Sequence, residues 1–108
     1  MRIRYYQSLR GDEPVREYVR GLPARERDDW DEALTLLASF GVEAPVSRRQ
    51  LQGKLWEIRV GRHRVAYVLI TGPEMVLLHA FKKQGQRTSR RDLELAIKRA
   101  KEVLGGVS

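Results

Sequence analysis

Apolar residues recur along this chain with two different periods, and the change from one to the other organises it. Behind Asp12-Glu13-Pro14, the residues Val15, Tyr18, Val19 and Leu22 fall at i, i+3, i+4 and i+7, which predicts a helix that Pro23 ends. A second helix begins at once, with Trp30, Ala33, Leu34, Leu37 and Phe40 as its core stripe and Gly41 as its stop. The period then shortens to two. Residues 55–60, 64–70 and 75–81, rich in Val, Ile, Leu, Tyr, Trp and Phe, read as three strands of a β-meander. Helical spacing returns at Leu93, Ala96, Ile97, Ala100 and Leu104, after the capping sequence Ser89-Arg90-Arg91-Asp92 and before Gly105-Gly106. Residues 3–6 form a short strand candidate that would add an edge to the meander, and residues 41–54 are the least structured segment, a solvated linker on this reading.

The turns sort the strand side chains by face. Gly61-Arg62 suits a two-residue hairpin turn with glycine first, and Gly72-Pro73 marks the second break, within two residues or a four-residue loop from Thr71 to Glu74. Either even length sets Arg59 opposite Arg64, Arg64 opposite Phe81, and Ala66 between Glu57 and His79. One face then collects Trp56, Ile58, Val60, Val65, Tyr67, Leu69, Val76, Leu78 and Ala80, and is expected to carry the helices. The other is apolar at one end, with Val68, Ile70, Met75 and Leu77, and polar at the other, with Glu57, Arg59, Arg64, His79 and Lys83. Unpaired charge is costly to bury, so the polar end reads as an open, wet concavity. The alternative is a solvated sheet end in which Glu57 neutralises an arginine. A one-residue bulge in either hairpin would break the grouping.

Charge sharpens this picture. Residues 1–46 carry seven arginines against nine acids, a balance of −2, while residues 47–108 carry fourteen lysines and arginines against five acids, a balance of +9. The basic half is the half with the sheet, which favours a polyanion such as RNA or DNA through phosphate contacts. Sixteen of the 21 basic residues are arginine, whose planar fork suits phosphate. The absence of cysteine excludes disulfide and thiolate chemistry, and two histidines, His63 and His79, argue against a metal site. At 108 residues the chain is expected to be one domain, and it has neither an apolar signal core nor a membrane-length apolar run, so a cytoplasmic location is expected.

The order strand, helix, helix, three-strand meander, helix, together with Leu55-Trp56-Glu57-Ile58-Arg59, His63-Arg64-Val65-Ala66-Tyr67 and Leu77-Leu78-His79-Ala80-Phe81-Lys82-Lys83, resembles the phage-derived HigB-like toxins of the RelE/ParE superfamily. The resemblance spans nearly the whole chain. It departs after the lysine pair, where a Thr/Lys-rich segment and a proline are usual and this chain has Gln84-Gly85-Gln86-Arg87-Thr88 and then Ser89. The implied fold is α+β and RelE-like: an N-terminal strand and an αα-hairpin packed on an antiparallel three- to four-stranded sheet, with a C-terminal helix. The implied function is the toxin of a type II toxin-antitoxin system. It would be a ribosome-dependent mRNA endoribonuclease, held by a cognate antitoxin of helix-turn-helix type, that uses no cofactor and drives the ribose 2′-OH onto the adjacent phosphate.

That reaction needs a base for the 2′-OH, cations for the charge on phosphorus and an acid for the leaving oxygen. Arg59 and Arg64 match the family's strand arginines and form the expected phosphate clamp. Lys83, or Lys82, would stabilise the transition state or serve as base, and alternation along the strand favours Lys83 as the one facing the site. His79 is a candidate for acid-base work, or else a structural histidine beside Glu57. His63, in a hairpin turn between two arginines, reads as a surface RNA contact, and Phe81 as a base-stacking residue or a core one. Lys54, Arg62, Arg87, Arg48 and Arg49 are candidate backbone contacts to RNA. Two other readings remain: a ParE-like poison of DNA gyrase without nuclease activity, and an inactive nucleic-acid-binding module.

Overall fold

The computed structural model describes residues 1–105, so that Gly106, expected as part of the last helix stop, lies outside the described residues. In chain order the elements are β1 (Arg2–Tyr5), α1 (Pro14–Arg20), α2 (Ala24–Phe40), a 3-10 turn (Gly41–Glu43), β2 (Arg48–Gln52), β3 (Leu55–Val60), β4 (His63–Ile70), β5 (Glu74–Lys82) and α3 (Arg90–Gly105). The strands form one sheet in the order β1-β5-β4-β3-β2, with β1 parallel to β5 and every other pair antiparallel. The α+β fold is thus the expected one, with two corrections to the sheet. It has five strands, and it is mixed where an antiparallel sheet is expected, because the α1–α2 hairpin and the strands after it bring β5 alongside β1 in the same direction. Arg48–Gln52 lies in the segment read as linker, and it pairs with β3 through an irregularity between Gln50 and Gln52. Its arginine and glutamine content hid it, because an edge strand has no need of an apolar face.

Two helical layers cover the sheet. Val15 from α1 and Trp30, Ala33 and Leu37 from α2 pack on Ile58, Val60, Val65, Tyr67, Met75, Leu77 and Ala80. On the opposite face Ala96 and Ala100 of α3 pack on Leu55, Ala66, Val68, Val76 and Leu78, with Tyr6. The pattern placed Val76 and Leu78 with Tyr67, and Met75 and Leu77 opposite; the structure exchanges them. Leu69, also assigned to the helix-bearing face, remains 39% exposed.

The cause lies in the second hairpin. Ile70 pairs with Glu74, so the loop has three residues, not two or four, and the register near it is shifted by one from expectation. Tyr67 pairs with Leu77 but Ala66 pairs with His79, so Leu78 is an extra residue, a β-bulge. Arg99 of α3 donates Nη1–H to the Leu78 carbonyl at 2.9 Å. Beyond the bulge the expected pairs return: Ala66 with His79, and Arg64 with Phe81. The first hairpin needs no such correction. Val60 pairs with His63 around Gly61-Arg62, and Gly61 takes φ +60, a conformation that favours glycine.

The helix ends follow the sequence signals. Gly41 ends α2 at φ +60. Ser89 caps α3: its hydroxyl accepts the Asp92 N–H at 3.1 Å and donates to Asp92 Oδ2 at 2.6 Å. Trp30 is 2% exposed, as its helical spacing predicts for a core residue.

Candidate nucleic-acid interface

α3 covers only the apolar end of its face. At the other end, between the sheet and the start of α3, a cleft opens whose cations are Arg49 from β2, Arg59 from β3, Arg64 from β4, Lys82 at the end of β5, and Lys83 and Arg87 from the connector. Glu57, Phe81, Thr88, Ser89 and Asp92 also border it. Six cations face two carboxylates there. This is the concavity expected from the alternation of Glu57, Arg59 and Arg64, and it forms because the two-residue turn at Gly61 sets Arg59 directly across from Arg64.

Arg64 is the deepest of these cations, with 6% exposure. Its Nη1 donates to the carbonyls of Gly61 and His63, each at 3.0 Å, so the β3–β4 turn holds the guanidinium in place. Burial, and then the charge of Arg59, push its pKa down from the usual arginine value. An anion would relieve both penalties. Arg59 is exposed and free to reach the same anion.

Both carboxylates are spoken for. Arg49 Nη2 donates to Glu57 Oε2 at 2.9 Å, and the Thr88 hydroxyl donates to Glu57 Oε1 at 3.1 Å while accepting from Arg49 Nη2 at 3.2 Å. This triangle ties β2, β3 and the connector together around a carboxylate that is 5% exposed. Asp92 accepts from His79 Nε2 at 2.7 Å and from the Ser89 hydroxyl. The His79 ring stacks on Phe81 at 5.3 Å between centroids and 22° between planes. Burial pushes the His79 pKa down, against the opposing pull of Asp92. A neutral ring with its proton on Nε2 satisfies that geometry.

Of the expected site residues, Arg59, Arg64, Lys82, Lys83, Phe81, Arg87 and Arg49 border the cleft. Strand alternation does not separate Lys82 from Lys83, because the strand ends there and both reach the cleft. Phe81 combines its two readings: it is 8% exposed, yet it forms part of the cleft wall. His79 stands behind that wall, and its partner is Asp92, not Glu57. Arg48 gives Nη2 to the Ala44 carbonyl at 2.9 Å and borders a shallower depression beside Arg59 and Arg64.

One expectation fails, and two further candidates lie away from the cleft. His63 is no surface contact: it is 5% exposed, its Nδ1 lies 2.7 Å from the Tyr18 hydroxyl and its Nε2 lies 2.6 Å from Glu26 Oε1. Arg62 turns to the same side, 3.7 Å from Glu26. Lys54 borders an apolar groove against the C-terminal half of α3, outside the cleft. Conversely, sequence reasoning gave Asp92, Thr88 and Ser89 no place in the site. Asp92 was absorbed by its role as a cap residue, and Thr88 by a connector without periodicity.

A mixed sheet with an αα-hairpin on one face and the last helix on the other is a RelE-like fold. The crystal structure of the archaeal RelE–RelB complex from Pyrococcus horikoshii OT3 superposes with a TM-score of 0.56 at 20% identity, covering 80% of this chain and 97% of that one. More particularly, residues 17–101 match the model of the family described as phage derived protein Gp49-like, and the chain belongs to that family. No curated protein matches it in sequence. Among the described residues no helix is long and apolar enough to cross a membrane.

Proposed function

We propose that this protein is the toxin of a type II toxin-antitoxin pair and an endoribonuclease that cuts mRNA on the ribosome. The observation that carries the reading is the buried Arg64 guanidinium, set by the turn beside Arg59 at the floor of a cleft ringed by Arg49, Lys82, Lys83 and Arg87. A scissile phosphate bound between Arg59 and Arg64 meets preorganised positive charge where a phosphorane would develop its own negative charge. The lysine pair at the end of β5 adds to it, and Lys83 supplies a proton to the leaving 5′ oxygen. His79 holds Phe81 and Asp92 in place, and Phe81 offers a ring face to a base. The reaction needs no cofactor. A cognate antitoxin covering the basic cleft would silence it, and the similarity to a RelE known in complex with RelB supports such a partner.

The test is induced expression in bacteria of the wild type and of Arg64→Ala and Arg59→Ala variants, with mRNA 5′ ends mapped during growth arrest. New 5′-OH ends within translated frames, lost in folded variants, are expected. Growth arrest with intact mRNA would instead support a protein-binding poison of the gyrase-directed kind, and no arrest would support an inactive binding module.

A further inference from the structure

We infer that Glu57 is the general base of this cleft, the group that takes the proton from the ribose 2′-OH. The inference rests on the nuclease reading above and supplies the member of the reaction that the cations cannot. Among the cleft-bordering side chains, Glu57 and Asp92 are the two carboxylates. Asp92 is committed to local structure, with one oxygen on His79, the other on Ser89, and its own N–H in the cap of α3. Glu57 is committed differently. It lies on β3 two residues before Arg59, hence on the same face and about 6.5 Å along the strand from one half of the phosphate clamp. A 2′-OH is the neighbour of its own 3′-phosphate at that scale.

The partners of Glu57 also fit the role. Arg49 is half exposed, with 53% of its side chain accessible, so the guanidinium can share itself with an arriving phosphate and loosen its hold on Oε2. Thr88 keeps Oε1 oriented from the connector. Substrate would thereby free the base only when a phosphate is present. In the step itself the 2′ oxygen forms its bond to phosphorus as its proton passes to Glu57, and the P–O5′ bond breaks. The 5′ oxygen takes a proton from the Lys83 ammonium, leaving a 2′,3′-cyclic phosphate and a 5′-OH end. Solvent water then removes the proton from Glu57 and returns one to Lys83.

The assay is single-turnover cleavage of mRNA on programmed ribosomes by the full chain, with binding measured on mRNA carrying a 2′-deoxy nucleotide at the scissile position. E57Q keeps the size of the side chain and its contact with Thr88, and is expected to lose about 100-fold or more in cleavage rate while binding within about twofold of wild type. Substrate with a bridging 5′ sulfur, which departs without needing a proton, is expected to rescue Lys83→Ala and not E57Q. E57Q that cleaves at the wild-type rate, that is rescued by the sulfur, or that loses binding in step with rate overturns the assignment. Should E57Q melt below the assay temperature, E57D reads the same point: a tenfold loss at unchanged binding supports the base, and no loss overturns it. Wild-type protein that cuts no mRNA overturns the nuclease reading and this inference together, whereas cutting by wild type and E57Q at equal rates overturns this inference alone.

Discussion

His63 and His79 make nearly the same bond and serve different ends. Each approaches a carboxylate oxygen, His63 at 2.6 Å from Glu26 and His79 at 2.7 Å from Asp92, and each bond joins a strand to a helix. His63 is sealed between β4 and the α1–α2 hairpin, with the Tyr18 hydroxyl on its other nitrogen. His79 meets Asp92 in the first turn of α3, and its ring backs onto Phe81 at the cleft wall. The lesson is that a buried, hydrogen-bonded histidine is neither evidence for a site nor evidence against one. What distinguishes the two is whether the surrounding surface is closed by a helix pair or left open by the end of a single helix.

Removing the rings should separate them. His63→Ala leaves the Tyr18 hydroxyl and the Glu26 carboxylate without their shared partner, and should lower the folding free energy by about 2–4 kcal/mol, read as a shifted urea midpoint. The fraction that remains folded should cut mRNA at the wild-type rate. His79→Ala should cost less stability, about 1–2 kcal/mol, because Asp92 retains Ser89 and solvent. It should nonetheless slow cleavage by roughly tenfold through the loosened Phe81 and Asp92. Equal effects of the two substitutions on cleavage per folded molecule would erase the distinction. Tyr18→Phe deletes a single hydrogen bond on the sealed side, and a loss of about 1 kcal/mol with no change in cleavage is expected.

The smallest effect is that of pH, and it comes in two stages. Burial holds the His79 pKa below its ordinary 6.5, so the unfolded chain binds that proton more readily than the folded one. Stability should therefore decline as pH falls through the ordinary histidine range and level off below the folded pKa. On the sealed side the hydrogen bond from His63 holds the Glu26 pKa below its ordinary 4.5. Its contribution is present above that ordinary value and is lost as pH falls through the lower, folded one. Thermal melts from pH 8 down to about pH 2 should show the first stage disappear in His79→Ala and the second survive there.

How much of this was legible in the sequence differs between the same two regions. The floor of the cleft was readable because a two-residue turn at Gly61 fixes Arg59 against Arg64, and local turn chemistry is encoded locally. The environment of His63 was not, since its partners lie 45 and 37 residues away and a histidine next to a turn gives no sign of a helix pair folding over it. The Glu57 triangle fell between these cases. The carboxylate stood out among arginines, but its hold on Arg49 depends on β2, a strand without an apolar alternation, and its hold on Thr88 depends on a connector without any period.

The bulge at Leu78 gives the second hairpin a property familiar from genetics, that of a frameshift with its suppressor. The short loop from Thr71 to Pro73 puts Met75, Val76 and Leu77 out of phase with the strand pattern, and the one surplus residue restores phase before His79 is reached. Everything downstream, from the ring behind the cleft wall to the lysine pair, is read in the original frame. A lineage of such proteins can therefore gain or lose a residue in that loop and keep its cleft intact, provided that a second change between Glu74 and His79 balances the count.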